Sequence, residues 1–67
     1  MNRILIAEKI KKYREENHLT QEEFGRRIGV SAQAISKWER SVCYPDITFL
    51  PRIAEILTCS VNDFFSG

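Results

Sequence analysis

Apolar residues recur along this chain with the period of helices and rarely with that of strands. Ile6, Ile10 and Tyr13 stand at i, i+4, i+7, one face of a helix from about Arg3 to Glu16. Asn17-His18 closes it, asparagine tolerating the left-handed conformation that often ends helices. Thr20-Gln21-Glu22-Glu23 then reads as a capping box, in which the threonine hydroxyl and the Glu23 carboxylate each satisfy a free backbone N–H. Leu19 and Phe24 are spaced to staple across that cap. The second helix, 21–28, carries Phe24 and Ile28 inward and stops at Gly29, which takes positive φ cheaply. Ser31 caps the third, 32–40, with Ile35 and Trp38 inward. A loop from Ser41 to Ile47 holds Pro45. The fourth helix, 49–57, has Thr48 as its N-cap and Pro51 in its first turn, where a missing N–H costs nothing. Ser60 caps a last short helix, 61–65, with Asp63 closing a second box and Phe64 facing inward. The pattern predicts a compact all-α fold of five short helices forming one domain over 1–67, with neither linker nor repeat.

The second and third helices hold the most constrained spacing. Gly29, Val30 and Ser31 are all that separates them. Helices joined this tightly do not lie antiparallel and must cross steeply, which is the helix-turn-helix arrangement. Phe24, Ile28, Val30, Ile35 and Trp38 supply the wedge between them, and Gly25 is small enough for close approach. Glycine at that place also costs about 1 kcal/mol of helix propensity relative to alanine and predicts some looseness there.

Composition supports a folded chain and excludes several functions. Apolar residues make up 43% of the 67 positions, against a net charge of +1, so disorder is not expected. The charge is uneven: residues 1–43 carry +3 and residues 44–67 carry −2. Counted alone, that is ordinary surface variation. Cys43 and Cys59 form no metal-ligand spacing and make a poor disulfide framework, although a 43–59 pairing is open. Cys59 falls in an apolar-periodic stretch and reads as a small buried hydrophobe. His18, the single histidine, has no ligand partners at metal spacing. There is no nucleophile elbow and no phosphate-binding glycine loop, and no apolar run reaches membrane-span length. The expectation is a reduced, cytoplasmic protein that is not an enzyme and has no metal, cofactor, small-molecule ligand or membrane contact.

The segment from Gln21 to Arg40, QEEFGRRIGVSAQAISKWER, brings a resemblance into view. Together with Leu19-Thr20, Tyr44-Pro45-Asp46-Ile47, Ile53-Ala54-Glu55-Ile56-Leu57 and Ser60-Val61, it resembles the Cro/CI-type helix-turn-helix family of phage repressors and xenobiotic-response-element regulators over almost the whole chain. The resemblance implies a lambda-repressor-like DNA-binding domain whose third helix, Ser31 to Arg40, enters the major groove. It implies that Gln21 touches a phosphate and braces that helix. Gln33 would read base edges, since glutamine pairs bidentately with adenine, and Ala32 would meet a thymine methyl. Lys37 would reach a guanine or a phosphate, Ser31 and Ser36 would add hydrogen bonds, and Arg40 and Ser41 would meet the backbone. Arg14 and Glu39 match a pair that bridges helices 1 and 3, a bond that specifies packing more than it stabilises.

Two departures stand out. The family usually has glycine at Ser41, and the loop before helix 4 is short of basic residues for phosphate contact. The implied partner is a palindromic double-stranded operator bound by a homodimer, in a bacterial cytoplasm on the nucleoid, with repression the more common outcome. Phe65, which has no place in the expected core, marks one candidate dimer surface. Chains resembling this one often continue beyond the position of Gly67 into a sensor or oligomerisation region. A second class of function, a helical protein-interaction module resembling an antitoxin or adaptor, would instead show an apolar patch on the exposed face of helix 3.

Overall fold

The structure, a computed structural model, describes residues 3–66. Its α-helices among these residues are α1 (Ile6–Glu16), α2 (Gln21–Ile28), α3 (Ala32–Glu39) and α4 (Leu50–Leu57). Short 3-10 helices at Ile47–Phe49 and Val61–Phe64 precede and follow α4. Strands β1 (Arg3–Ile4) and β2 (Phe65–Ser66) pair antiparallel, with Arg3 opposite Ser66 and Ile4 opposite Phe65. The helical pattern of the sequence thus stands, with its two ends corrected. The first helix begins at Ile6, not Arg3, because the backbone before it pairs with the end of the chain. The Leu5 N–H continues that pairing by donating to the Phe64 carbonyl at 2.6 Å. The expected fifth helix is a single 3-10 turn, since Phe65 is drawn into the ladder.

The caps explain most of the boundaries. Thr20 Oγ1 accepts from the Glu23 N–H at 3.0 Å, and Glu23 Oε1 accepts from the Thr20 N–H at 2.8 Å. Ser31 Oγ accepts from the Ala34 N–H at 3.2 Å. At the second 3-10 helix, Asp63 Oδ2 accepts from the Ser60 N–H at 2.9 Å. Thr48 is not the cap of the fourth helix. The residue that caps is Asp46, whose Oδ1 accepts from both the Thr48 N–H (3.0 Å) and its hydroxyl (2.9 Å), starting the chain one turn earlier as a 3-10 helix. Pro51 lies in the first turn of α4 as its missing donor requires.

All four α-helices end alike. A left-handed residue, His18, Gly29, Ser41 or Thr58, follows each. The next N–H then donates back five residues: Leu19 to Arg14, Val30 to Gly25, Val42 to Lys37 and Cys59 to Ala54, each at 2.9 Å. This is the Schellman closure, which satisfies free carbonyls at the helix end. At α1 the left-handed residue is His18 and not Asn17, whose φ is −102° and whose side-chain amide donates to the Tyr13 carbonyl. At Ser41 a φ of 58° takes the place of the expected glycine.

The core gathers Ile6 and Ile10 of α1, Phe24 and Ile28 of α2, Ile35 and Trp38 of α3, Ile53 and Ala54 of α4, and Phe64. Cys59 is partly buried against it, and burial pushes its thiol above the ordinary value, the opposite of a reactive thiolate. Cys43 is exposed, and both cysteines are free. Among the described residues no helix is long and apolar enough to cross a membrane.

Phe64 is fully buried where both chain ends meet the helices. Phe64→Ala is expected to cost about 3–5 kcal/mol, a large share of the roughly 3–10 kcal/mol available to a chain this size. Urea unfolding followed by circular dichroism measures it, and a loss below about 1 kcal/mol would contradict the packing assigned to this ring. The capping box carries a pH signature. The Thr20 backbone N–H, and then its hydroxyl, hold the Glu23 carboxyl below its ordinary value. A lowered folded-state pKa gives stability that is present above the unfolded-state value and is lost as pH falls through the folded one. Glu23→Gln should therefore lower stability by a constant amount at neutral and alkaline pH and remove part of the acid-side slope, so that the two proteins converge as pH falls, as read from urea midpoints across pH.

Candidate nucleic-acid interface

The turn between α2 and α3 decides where the candidate site points. Gly29 takes φ +97° with open space around it, reversing the chain within three residues. A Cβ on Gly25 would stand 2.5 Å from the Val30 carbonyl oxygen and 3.3 Å from the Ser31 backbone. Glycine there is what lets the turn close onto α2, and the carbonyl of Gly25 receives both the Gly29 N–H (2.7 Å) and the Val30 N–H (2.9 Å). The looseness expected from Gly25 is thus replaced by a tight backbone contact.

α3 is clamped at its other end. Glu39 accepts from Arg14 twice, at 2.7 Å from Nε and 3.0 Å from Nη2, and from Gln21 Nε2 at 3.2 Å. Arg14 Nη1 also donates to the Leu19 carbonyl at 3.0 Å. One carboxylate therefore ties α1 and the start of α2 to the last residue of α3, and Arg14 adds the turn after α1. The bond to Glu39, more than any other effect, holds the Arg14 guanidinium above its already high pKa. The Glu39 side chain is 5% exposed and that of Arg14 18%, so water competes weakly for this bond. The contrast is the Glu22–Arg26 pair on α2, about 70% open on both sides, where little net stabilisation is expected. Gln21 is thus brought to the clamp, and its bracing contact is with a side chain of α3.

At about 100° per residue, α3 divides into two arcs. Ile35 and Trp38 are buried, with Ala34 packed against the core. The opposite arc holds Ala32, Gln33, Ser36, Lys37 and Arg40, with Ser31 and Ser41 at its ends. Gln33, Lys37 and Arg40 are exposed, while Ala32 and Ser36 are partly covered. Arg40 folds back along the helix, its Nε 3.3 Å from both the Ser36 carbonyl and Ser36 Oγ. Ser31 Oγ accepts from Ala34, which leaves its proton free to donate outward. The arc carries two cations and no acid. The following loop is different: Asp46 lies in it, and hydrogen bonds from the Thr48 N–H and hydroxyl keep its carboxyl below the ordinary value and ionised at neutral pH.

The sequence pattern did not foresee the outward turn of Val42, Tyr44 and Ile47, at 61%, 52% and 76% exposure, beside half-exposed Phe65. The available signal was three apolar residues in a segment with no helical period. This apolar face lies off the exposed arc of α3, which is polar. Among the described residues no group of three or more His, Cys, Asp or Glu is placed to hold a metal.

Comparison with known proteins agrees with this geometry. A helix-turn-helix family profile matches residues 10–64. The HTH-type transcriptional activator BcrR of Enterococcus faecalis is 35% identical over 60 residues, 90% of this chain. Repressor protein C2 of Salmonella phage P22 is 36% identical over 67 residues, the whole of it. The chain spans 29% of the activator's length and 31% of the repressor's. The crystal structure of the P22 c2 repressor in complex with synthetic operator 9T superimposes with a TM-score of 0.80 at 35% identity, over 90% of this chain and 91% of that one.

The clamp makes an asymmetric prediction. Glu39→Ala leaves Arg14 charged and largely covered without its carboxylate, and is expected to cost about 2–3 kcal/mol. Replacing both partners, Arg14→Met with Glu39→Leu, should recover most of that loss. Paired urea melts of the single and double variants measure the difference, and a double variant no better than Glu39→Ala would show that the clamp contributes net stability.

Proposed function

The chain belongs to the Cro/CI-type helix-turn-helix family, and on that premise we propose that it binds double-stranded DNA sequence-specifically as a transcriptional regulator, with α3 in the major groove. The observation that carries this reading is the exposed arc of α3, which is polar, acid-free and held rigid from both ends. A solved relative of the same fold, the P22 c2 repressor, was crystallised on an operator. Gln33 reads a base edge, with adenine its best match. Ala32 lies against a thymine methyl, and Lys37 reaches a guanine or a phosphate. Ser31, Ser36, Arg40, Ser41 and Gln21 set the register by hydrogen bonds to the backbone.

The net charge of +1 limits what one copy achieves. Phosphate neutralisation supplies most of the affinity of such domains, and this one brings few cations. Tight binding therefore needs two copies on a palindrome, their half-sites about 34–36 Å apart. We read the effect as repression, as in the relative that matches over the whole chain. The place of action is the bacterial cytoplasm, on the nucleoid. The domain comprises residues 1–67 and acts without cofactor, metal or catalysis.

Selection of bound duplexes from a random pool at two salt concentrations tests the reading. Enrichment of a palindrome whose binding falls steeply with salt is expected, and no enrichment at low salt removes the claim of specificity. Gln33→Ala should relax preference at one base position. Arg40→Ala should weaken all duplexes alike and reduce the salt slope by about 1. Equal, sequence-blind losses from both substitutions would mean that Gln33 does not read bases.

A further inference from the structure

The two cations on the exposed arc of α3 are presented differently. Among the described residues the Lys37 ammonium has no hydrogen bond or ion pair. Arg40 is tied through Nε alone, which lies 3.3 Å from both the Ser36 carbonyl and Ser36 Oγ, and its Nη1 and Nη2 have no partner among the described residues. The Ser36 carbonyl also accepts the Arg40 backbone N–H at 3.1 Å, so main chain and side chain of Arg40 are anchored on one turn. A guanidinium is planar and turns as a unit, so holding its Nε–H directs the fork made by the two Nη groups. Both acceptors are neutral. Arg14 and Arg26 each face a carboxylate that offsets their charge, whereas Arg40 is held in place with its charge intact. Ser36 is partly covered and Arg40 is exposed, so the anchor is more sheltered from water than the fork.

We propose that Ser36 is a positioning residue: its hydroxyl and carbonyl hold the Arg40 guanidinium over the last turn of α3 with the Nη fork outward, and that fork takes one DNA phosphate through two parallel hydrogen bonds. The place in the helix gives this hold its purpose. Arg40 is the C-cap of α3, and the carbonyls at a helix C-terminus carry partial negative charge that repels an anion. A phosphate is accepted at this end only with a cation lying between, and Nε on the Ser36 carbonyl puts the guanidinium there. The hold also lowers the entropic cost of contact, because a long side chain fixed before binding has less rotamer freedom to lose. With a net charge of +1, the chain has few other cations to make up for a misplaced one. The hydroxyl is the part of the anchor that decides its strength, since the carbonyl is already shared with the Arg40 N–H. The proposal rests on the DNA-binding reading and narrows the part of Ser36 within it: the serine acts on the phosphate through Arg40.

The first test needs no DNA. Relaxation of the arginine Nε–H groups in the isotope-labelled chain should show Arg40 more ordered than exposed Arg52, which has no partner among the described residues. Ser36→Ala should release Arg40 to the mobility of Arg52 while the amide spectrum of the core stays in place. An Arg40 as mobile as Arg52 in the unsubstituted chain overturns the proposal. The second test is a double-mutant cycle on a selected duplex. Ser36→Ala should weaken binding about three- to tenfold, evenly across duplexes, and by no more than about 1.5-fold once Arg40→Ala is present. Arg40→Lys keeps the charge and loses the Nε tie, so it should weaken binding like Ser36→Ala while changing the salt slope by less than about 0.3, against about 1 for Arg40→Ala. Equal losses from Ser36→Ala with and without Arg40 would mean that the serine touches DNA itself, and would overturn the positioning role. So would a change of preference at one base position. An ordered Arg40 in a chain that binds no duplex would uphold the tie and defeat the DNA reading. A mobile Arg40 in a chain that selects a palindrome would do the reverse.

Discussion

Three residues, Gly29, Val30 and Ser31, separate α2 from α3, and the rest of the structure is arranged around the steep crossing that this forces. A turn that short leaves no slack, so the two helices must touch through backbone at one point and through side chains elsewhere. Gly25 supplies the backbone contact, with no Cβ to hold the turn away. Phe24, Ile28, Ile35 and Trp38 fill the angle between the helices. Ser31 closes the start of α3 by accepting from Ala34. No one of these features would hold α3 in place alone, and each is needed because the turn has only one way to run.

The Arg14–Glu39 clamp does a different job. Apolar packing resists separation of α3 from the core but is tolerant of small rotations, because dispersion and burial have little directional preference. A bidentate arginine–carboxylate pair is directional. Fixed at the last residue of α3 and braced by Gln21, it holds the rotation of the helix about its own axis. That rotation decides which side chains form the exposed arc, so the clamp acts on function through orientation. The near-neutral charge of the chain makes this orientation more important, since few cations are available to compensate for a poorly aimed helix.

Much of this was legible in the chain. The capping boxes at Thr20 and Ser60, the Gly29 turn, the Pro51 start of α4 and the inward set Phe24, Ile28, Ile35, Trp38 and Phe64 all follow from local rules and period. The two displaced chain-end boundaries share one cause. Helical period carries helix 1 out to Arg3 and the last helix to Phe65, because local propensity does not see that the two chain ends meet in a ladder. Thr48 suits a cap by residue type, but the chain enters a 3-10 turn before α4 and Asp46 caps that turn instead. His18 and Asn17 exchange roles because both tolerate left-handed φ. Gly25 reads in the sequence both as room for close approach and as a loss of helix propensity, and the Val30 carbonyl opposite it shows that the approach governs.

The sequence by itself determined the order of the helices, the caps at Thr20 and Ser31, the Gly29 stop and the steep crossing, because these depend on side chains and backbone within a few residues of one another. It also determined which residues of α3 face outward, since helical period with a known inner face leaves one arc. Tertiary structure decided the rest. That Arg14 and Gln21 converge on the Glu39 carboxylate, while Arg14 also holds the Leu19 carbonyl, depends on three elements meeting. That Tyr44, Ile47 and Phe65 share one open face depends on a loop and a chain end brought together from the two sequence sides of α4. Apolar character along a chain indicates a wish to be covered, and only the packed fold shows which residues remain uncovered.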